Sequence, residues 1–113
     1  MLKYNLIVVD CDRITDWDSF FDTFADVFGF PNFFGRNMNA WIDCMTSLDD
    51  PDDGLTAVHA PQDGCLVLEL ANVTDFKTRC PDQFGALVEC SAFVNWRRIQ
   101  IGEPPVLVLS FDA

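Results

Sequence analysis

Residues 65–70 read Cys65-Leu66-Val67-Leu68-Glu69-Leu70, a short apolar run entered through Asp63-Gly64 and left at Asn72. Its length and its bounding turn residues make it a strand. Two similar runs lie toward the ends of the chain. Tyr4 to Cys11 carries Leu6-Ile7-Val8-Val9 and closes at Asp10, Asp12 and Arg13, which predicts a buried strand, and Val106 to Phe111 reads VLVLSF. The intervening segments have helical spacing. Thr15 is expected to start and cap a first helix, with Asp16 and Asp18 at the positive end of its dipole and apolar residues at 17, 20, 21, 24, 27 and 28. Gly29 and Pro31 close it. Met38 to Leu48 predicts a second helix with Met38, Trp41, Met45 and Leu48 inward. Val73 to Arg79 suits a short helix. Pro81 opens a longer one whose apolar face is predicted to hold Phe84, Leu87, Val88, Val94 and Ile99, ending at Gly102 before Pro104-Pro105. Strands alternating with helices pair in parallel through right-handed crossovers, so the fold class is an α/β layer fold.

With 113 residues, half of them apolar, residues 1–113 are long enough for one domain with its own core and too short for two. Eighteen acidic against seven basic residues give a net charge of −11, which argues against a nucleic-acid backbone or an anionic membrane as the main partner. A cationic protein suits it. Acidity also keeps a Phe-rich chain soluble, and for an arbitrary acidic domain that is the plainer explanation. Cys11, Cys44, Cys65, Cys80 and Cys90 are odd in number, form no C-x-x-C pair and mostly sit in apolar runs, as buried free thiols do. The opening MLKYNLIVVD has no cleavable leader pattern and no stretch is long enough to cross a bilayer, so the expected location is the cytoplasm.

Several chemical patterns are present in outline. Asp10-Cys11-Asp12 directly after a strand is similar to the nucleophile and acid pair of haloacid-dehalogenase-type phosphatases, but the lysine and the further carboxylates that chemistry needs at later strand ends are not evident. Asp49 to Gly54 has the outline of a calcium loop, with Pro51 and Ala60 where oxygen ligands belong. His59, the one histidine, has no nucleophile framed around it. Residues 49–64 (DDPDDGLTAVHAPQDG) have turn composition and read as a long acidic surface loop. Zinc spacing and a glycine-rich phosphate loop do not occur. The expectation is a protein that is not an enzyme and holds no metal or cofactor.

The segment 31–48 is the most informative. On its helix Arg36, Asn39, Asp43 and either Thr46 or Ser47 recur at i, i+3, i+4 spacing, opposite the core residues. A polar stripe is usually only a solvated face. Here Phe33 and Phe34 stand just before it, and rigid rings beside a carboxylate are interface material.

The stretch from Phe30 to Thr46, FPNFFGRNMNAWIDCMT, resembles the inhibitory loop and helix of the barstar family of ribonuclease inhibitors. Pro31, the paired aromatics, Gly35, Asn37, Ala40, Asp43, Cys44 and Thr46 stand in the family's register. Leu66-Val67-Leu68-Glu69 and the strand ending at Ser110 align with the second and last strands. The resemblance implies a barstar-like fold, a three-stranded parallel sheet packed against about four helices, without catalysis. It further implies that the 31–48 loop and helix plug a ribonuclease active site, with Asp43 in the place of the substrate phosphate. Phe33, Phe34, Gly35, Arg36 and Asn37 from the loop, with Asn39, Ile42, Asp43, Thr46 and Ser47 from the helix, become the partner-binding residues. The chain departs from the family at informative positions. Acidic family contacts become Asn39 and Arg97, paired tyrosines become Phe33 and Phe34, a tryptophan becomes Ile42, and residues 49–64 are an insertion. Periodicity alone sets Ile42 near the core.

The functional expectation is an immunity protein for a basic ribonuclease or related toxin, monomeric when free. The alternative is an acidic nucleic-acid mimic that uses the 49–64 loop and the first-helix aspartates. The phosphatase, with Asp10 and Asp12, comes third.

Overall fold

The computed structural model describes residues 3–113. Strands β1 (Tyr4–Asp10), β2 (Cys65–Ala71) and β3 (Leu107–Asp112) form one parallel sheet in the order β1-β2-β3, and helices α1 (Trp17–Phe28), α2 (Met38–Thr46), α3 (Val73–Arg79) and α4 (Pro81–Gln100) make the connections. The fold is α/β and consistent with a barstar-like architecture. Val9 pairs with Leu70 and Leu66 with Leu107, so one face of the sheet presents Leu66, Leu68 and Leu70 to a core completed by Phe20, Phe24, Phe28, Trp41, Met45 and Leu87. The other face shows Tyr4, Leu6, Val8 and Val108, each about half exposed. The expectation of a buried β1 is therefore corrected. A continuous apolar run normally marks a strand covered on both sides, but here one side of the sheet stays open and only Val9 of β1 is buried.

Local chemistry sets the helix ends. Asp16, not Thr15, caps α1. Asp16 accepts the Ser19 N–H at 2.8 Å while Ser19 Oγ accepts the Asp16 N–H at 3.0 Å, a reciprocal capping box that leaves Thr15 one residue outside the helix. Gly29, at φ +68°, ends α1 in the left-handed conformation, and a Cβ there would come within 2.5 Å of the Ala57 Cβ. Only glycine fits both constraints. On α4 the inward stripe is Leu87, Ser91, Val94 and Arg98. Val88 and Ile99, expected inside, lie one helical step off that stripe and are exposed.

The 49–64 segment is tied down more than a surface loop would be. Asp50 to Gly54 are exposed, but Thr56 and Ala60 are buried, and Leu55 and Val58 pack against the core. Backbone bonds from Ala57 N–H to Phe28 O (2.7 Å) and from Ala60 N–H to Leu48 O (2.9 Å) hold it to the ends of α1 and α2.

Trp41 is fully buried and meets Phe24 edge-on at 5.7 Å between ring centroids. Truncating it removes the largest side chain of the α1–α2 contact. Trp41→Ala should lower stability by about 3–5 kcal/mol, seen as an earlier urea midpoint. An unchanged midpoint would place the indole outside the core.

All five cysteines are free; Cys90 is half-buried and the other four are buried. Burial, followed by the Asp10 and Asp12 carboxylates, pushes the Cys11 thiol up to about 12. Burial and then Asp43 push Cys44 up to about 11, and burial raises Cys90 as well. The thiolate is the reactive form, so at pH 8 the native protein should react slowly with a thiol reagent and first at Cys90, whereas all five should react after denaturation without reductant. Rapid labelling of Cys11 in the native state would contradict this.

Candidate functional site

The site is built where α2 begins and where its exposed face turns away from the core. Asn37 starts the helix by accepting the Ala40 N–H at 2.8 Å, and its amide donates back to Gly35 O at 3.2 Å. That is the work of an N-cap, and both ends of the carboxamide are engaged within the loop. Arg36 sits at φ +50°, a conformation uncommon outside glycine. Its guanidinium reaches back to α1, donating to Asp22 Oδ1 at 2.9 Å and to Asp18 O at 3.2 Å, which moves Arg36 off the α2 stripe.

The paired phenylalanines divide. Phe34 is half-buried between Phe21 and Phe30, with centroid distances of 5.8 and 4.7 Å, whereas Phe33 is 79% exposed. The resemblance implied contact for both rings; Phe33 stands largely in solvent and Phe34 shows only part of its ring. Ile42 is in the core at 8% exposure, as periodicity requires. Asn39 and Asp43 are exposed one turn apart on α2. Thr46 is half-buried, its hydroxyl donating to Ile42 O at 2.6 Å, and Ser47 is the half-buried C-cap. Phe33, Gly35, Asn39 and Asp43 thus form one surface, with Phe34 behind it, Arg36 drawn to α1 and Ile42 turned inward.

That surface is concave. A cavity of about 260 Å³ is lined by Pro31, Phe33, Phe34, Gly35, Ala40, Asp43, Cys44 and Leu55. Leu55 comes from the 49–64 segment, and nothing in its turn-like composition singled it out. A second concavity of about 290 Å³ adjoins the end of α2, between Thr46, Ser47, Asp49, Asp50 and the α4 residues Arg98, Ile101 and Glu103.

Two arginines of α4 organise the region. Arg97 donates to Asp43 Oδ1 at 2.8 Å, with 40% and 63% of the two side chains exposed. Arg98 is 4% exposed and makes four hydrogen bonds: two parallel bonds of 2.9 Å to Asp49, one of 2.8 Å to Thr46 O and one of 2.7 Å to Pro104 O. The sequence reading did not single out Arg98; the one available signal is its helical spacing from Leu87, Ser91 and Val94, where a guanidinium needs buried acceptors.

The residues of the other sequence patterns have local partners. Asp10 Oδ1 accepts from Asp12 N–H and from the Asn72 amide, both at 3.0 Å, so it caps the turn after β1. Arg79 occupies the neighbouring space, bonded to Cys11 O, Ile14 O and Asp75. Among the described residues no group of three or more His, Cys, Asp or Glu side chains converges as metal ligands, and no helix is long and apolar enough to cross a membrane. His59 Nδ1 lies 3.4 Å from Thr56 Oγ1, and its backbone carbonyl accepts from Asn5.

The Asp49–Arg98 pair carries a pH dependence. Hydrogen bonds from the guanidinium hold the Asp49 carboxyl below the usual carboxylate range, against the opposing effect of burial. A lowered folded-state pKa contributes stability that is complete above the unfolded value of about 3.9 and is lost as pH falls toward the folded one. Asp49→Ala should therefore cost about 3–5 kcal/mol near pH 7, because it strands a buried guanidinium. The gap to wild type should narrow below about pH 4. Urea melts at pH 7 and pH 3 check this, and a gap independent of pH would contradict it.

A family model described as Barstar (barnase inhibitor) matches residues 4–109, nearly the whole chain. A comparison with curated proteins finds no match.

Proposed function

The chain belongs to the barstar family, and we propose that it is an intracellular inhibitor of a basic ribonuclease or ribonuclease-like toxin, closing the active site of its target with the 31–48 loop and α2. The observation that carries this reading is Asp43, an exposed carboxylate on the face of α2 opposite buried Trp41 and Met45, at the edge of a concavity shared with exposed Phe33. A site built from Arg, Lys and His to hold phosphate accepts a preplaced carboxylate through charge-assisted hydrogen bonds. The helix backbone preplaces that carboxylate, which lowers the ordering that binding requires. The net charge of −11 draws a basic partner in and disfavours nucleic acid and anionic membrane as targets. On this reading the chain acts as one domain, monomeric until it meets its target, and contributes no catalytic group.

Asp43→Ala opens no cavity and breaks one exposed ion pair, so stability should stay within roughly 1 kcal/mol of wild type. In a complex the same deletion leaves the target's cations desolvated without a partner, a loss on the order of 2–5 kcal/mol, a scale drawn in part from barnase and its inhibitor. The test retains ribonuclease from extracts of the source cells on immobilised wild-type protein, then titrates its activity with wild type and Asp43→Ala. Equal inhibition by both would remove the α2 face as the inhibitory surface.

A further inference from the structure

Asp43 is not presented as a bare anion. Arg97 lies 2.8 Å from it, and the next residue of α4 is the buried Arg98 that is bonded to Asp49 and to Thr46 O at the end of α2. Arg97 is thereby held by its neighbour within reach of Asp43. With Asn39 one turn earlier on α2 and uncharged, the contact patch is a paired anion and cation on a protein that is strongly acidic as a whole.

Resting on the reading that Asp43 enters a cationic pocket, we infer that Arg97 is a specificity-determining residue, selecting a target that sets an acidic group beside the cations that take Asp43. The Asp43–Arg97 pair is exposed on both sides and screened by solvent, so opening it is a small barrier to binding. Discrimination comes afterward. A guanidinium cannot shed its charge at any ordinary pH, and one this close to Asp43 is drawn into whatever interface buries Asp43. Against a pocket of cations alone, Arg97 either faces like charge without an acceptor or stays on Asp43 and takes away bonds meant for the target. Against a pocket with an adjacent carboxylate, it exchanges one charge-assisted hydrogen bond for another. Like-charge juxtaposition is the standard means by which an interface rejects a wrong partner.

Barnase, a basic ribonuclease, is the probe. Its activity is titrated with wild type, Arg97→Ala, Arg97→Glu and Asp43→Ala, with a urea melt of each variant to confirm folding. Arg97→Ala should inhibit barnase at about 10-fold lower concentration than wild type, and Arg97→Glu at about 100-fold lower, as expected for removal and then reversal of a misplaced charge. On the ribonuclease retained from the source cells the order should reverse, with Arg97→Glu weaker than wild type by at least about 10-fold. If Arg97→Glu inhibits barnase no better than wild type, or inhibits the retained enzyme as well as wild type does, Arg97 does not select the target. Should that happen while Asp43→Ala abolishes inhibition, the inhibitory reading stands without this inference. If Asp43→Ala inhibits as well as wild type, both fall.

Discussion

A guanidinium with almost no access to water must find its acceptors inside the protein, and Arg98 finds them on three segments at once. Its Nε donates to Pro104 O in the connection to β3, and its two amino groups donate to Thr46 O at the end of α2 and to both oxygens of Asp49 at the start of the 49–64 segment. A buried charge deprived of such partners costs several kcal/mol, so the elements that supply them must stay in place together. Apolar contact between α2 and α4 would tolerate sliding, because the hydrophobic effect has no direction. Four directed bonds at one point do not. The spacing of Asp43 from Arg97 follows from that anchoring.

The remainder of the candidate surface is held by aromatic packing. Phe20, Phe24 and Phe28 of α1 run along the core, Phe24 meets Trp41, and Phe21 and Phe30 hold Phe34 between them. The loop before α2 is thus fixed from beneath through Phe34, which leaves the adjacent Phe33 to project. Arg36 adds a polar tie from above, and its bonds to Asp18 and Asp22 offset a backbone conformation that a side chain rarely adopts. Two residues that read from sequence as binding groups, Phe34 and Arg36, are bound into the scaffold by these contacts, and the exposed ring and carboxylate stand on what they hold.

Elements with a strong local signal were legible. The three strands, the Gly29 terminus of α1, the Pro81 start of α4 and the inward turn of Trp41, Met45 and Leu48 all follow from short-range chemistry. Most of what could not be read depended on partners distant in the chain. The open face of the sheet left an apolar β1 half-exposed, because a run such as LIVV looks the same whether one or both sides are covered. The phase of α4 was missed at Val88 and Ile99 because its buried stripe contains Ser91 and Arg98, polar residues that only tertiary bonds make tolerable inside. Thr15 and Asp16 are both good caps, and Ser19 decided between them. Leu55 contributes to the candidate site from a segment whose composition announced only turns. In the site itself, the exposure of Asp43 was legible from periodicity. Its pairing with a residue 54 positions away was not.

Charge acts on this protein at two ranges that need not agree in sign. At distances up to a Debye length, about 8 Å in physiological salt, a partner responds to the summed field of the surface, and a net charge of −11 accelerates the approach of anything basic. At contact, water is expelled and only the groups that meet one another count, each by whether it finds a complement. A uniformly acidic patch would make both stages favour the same wide class of basic proteins. On the proposed reading, Arg97 beside Asp43 separates them: the long-range field would still gather basic proteins quickly, while the contact patch would retain those with the opposite arrangement of charge. On that reading the speed of encounter follows the summed charge of the surface, and the lifetime of the complex follows the groups that meet at contact.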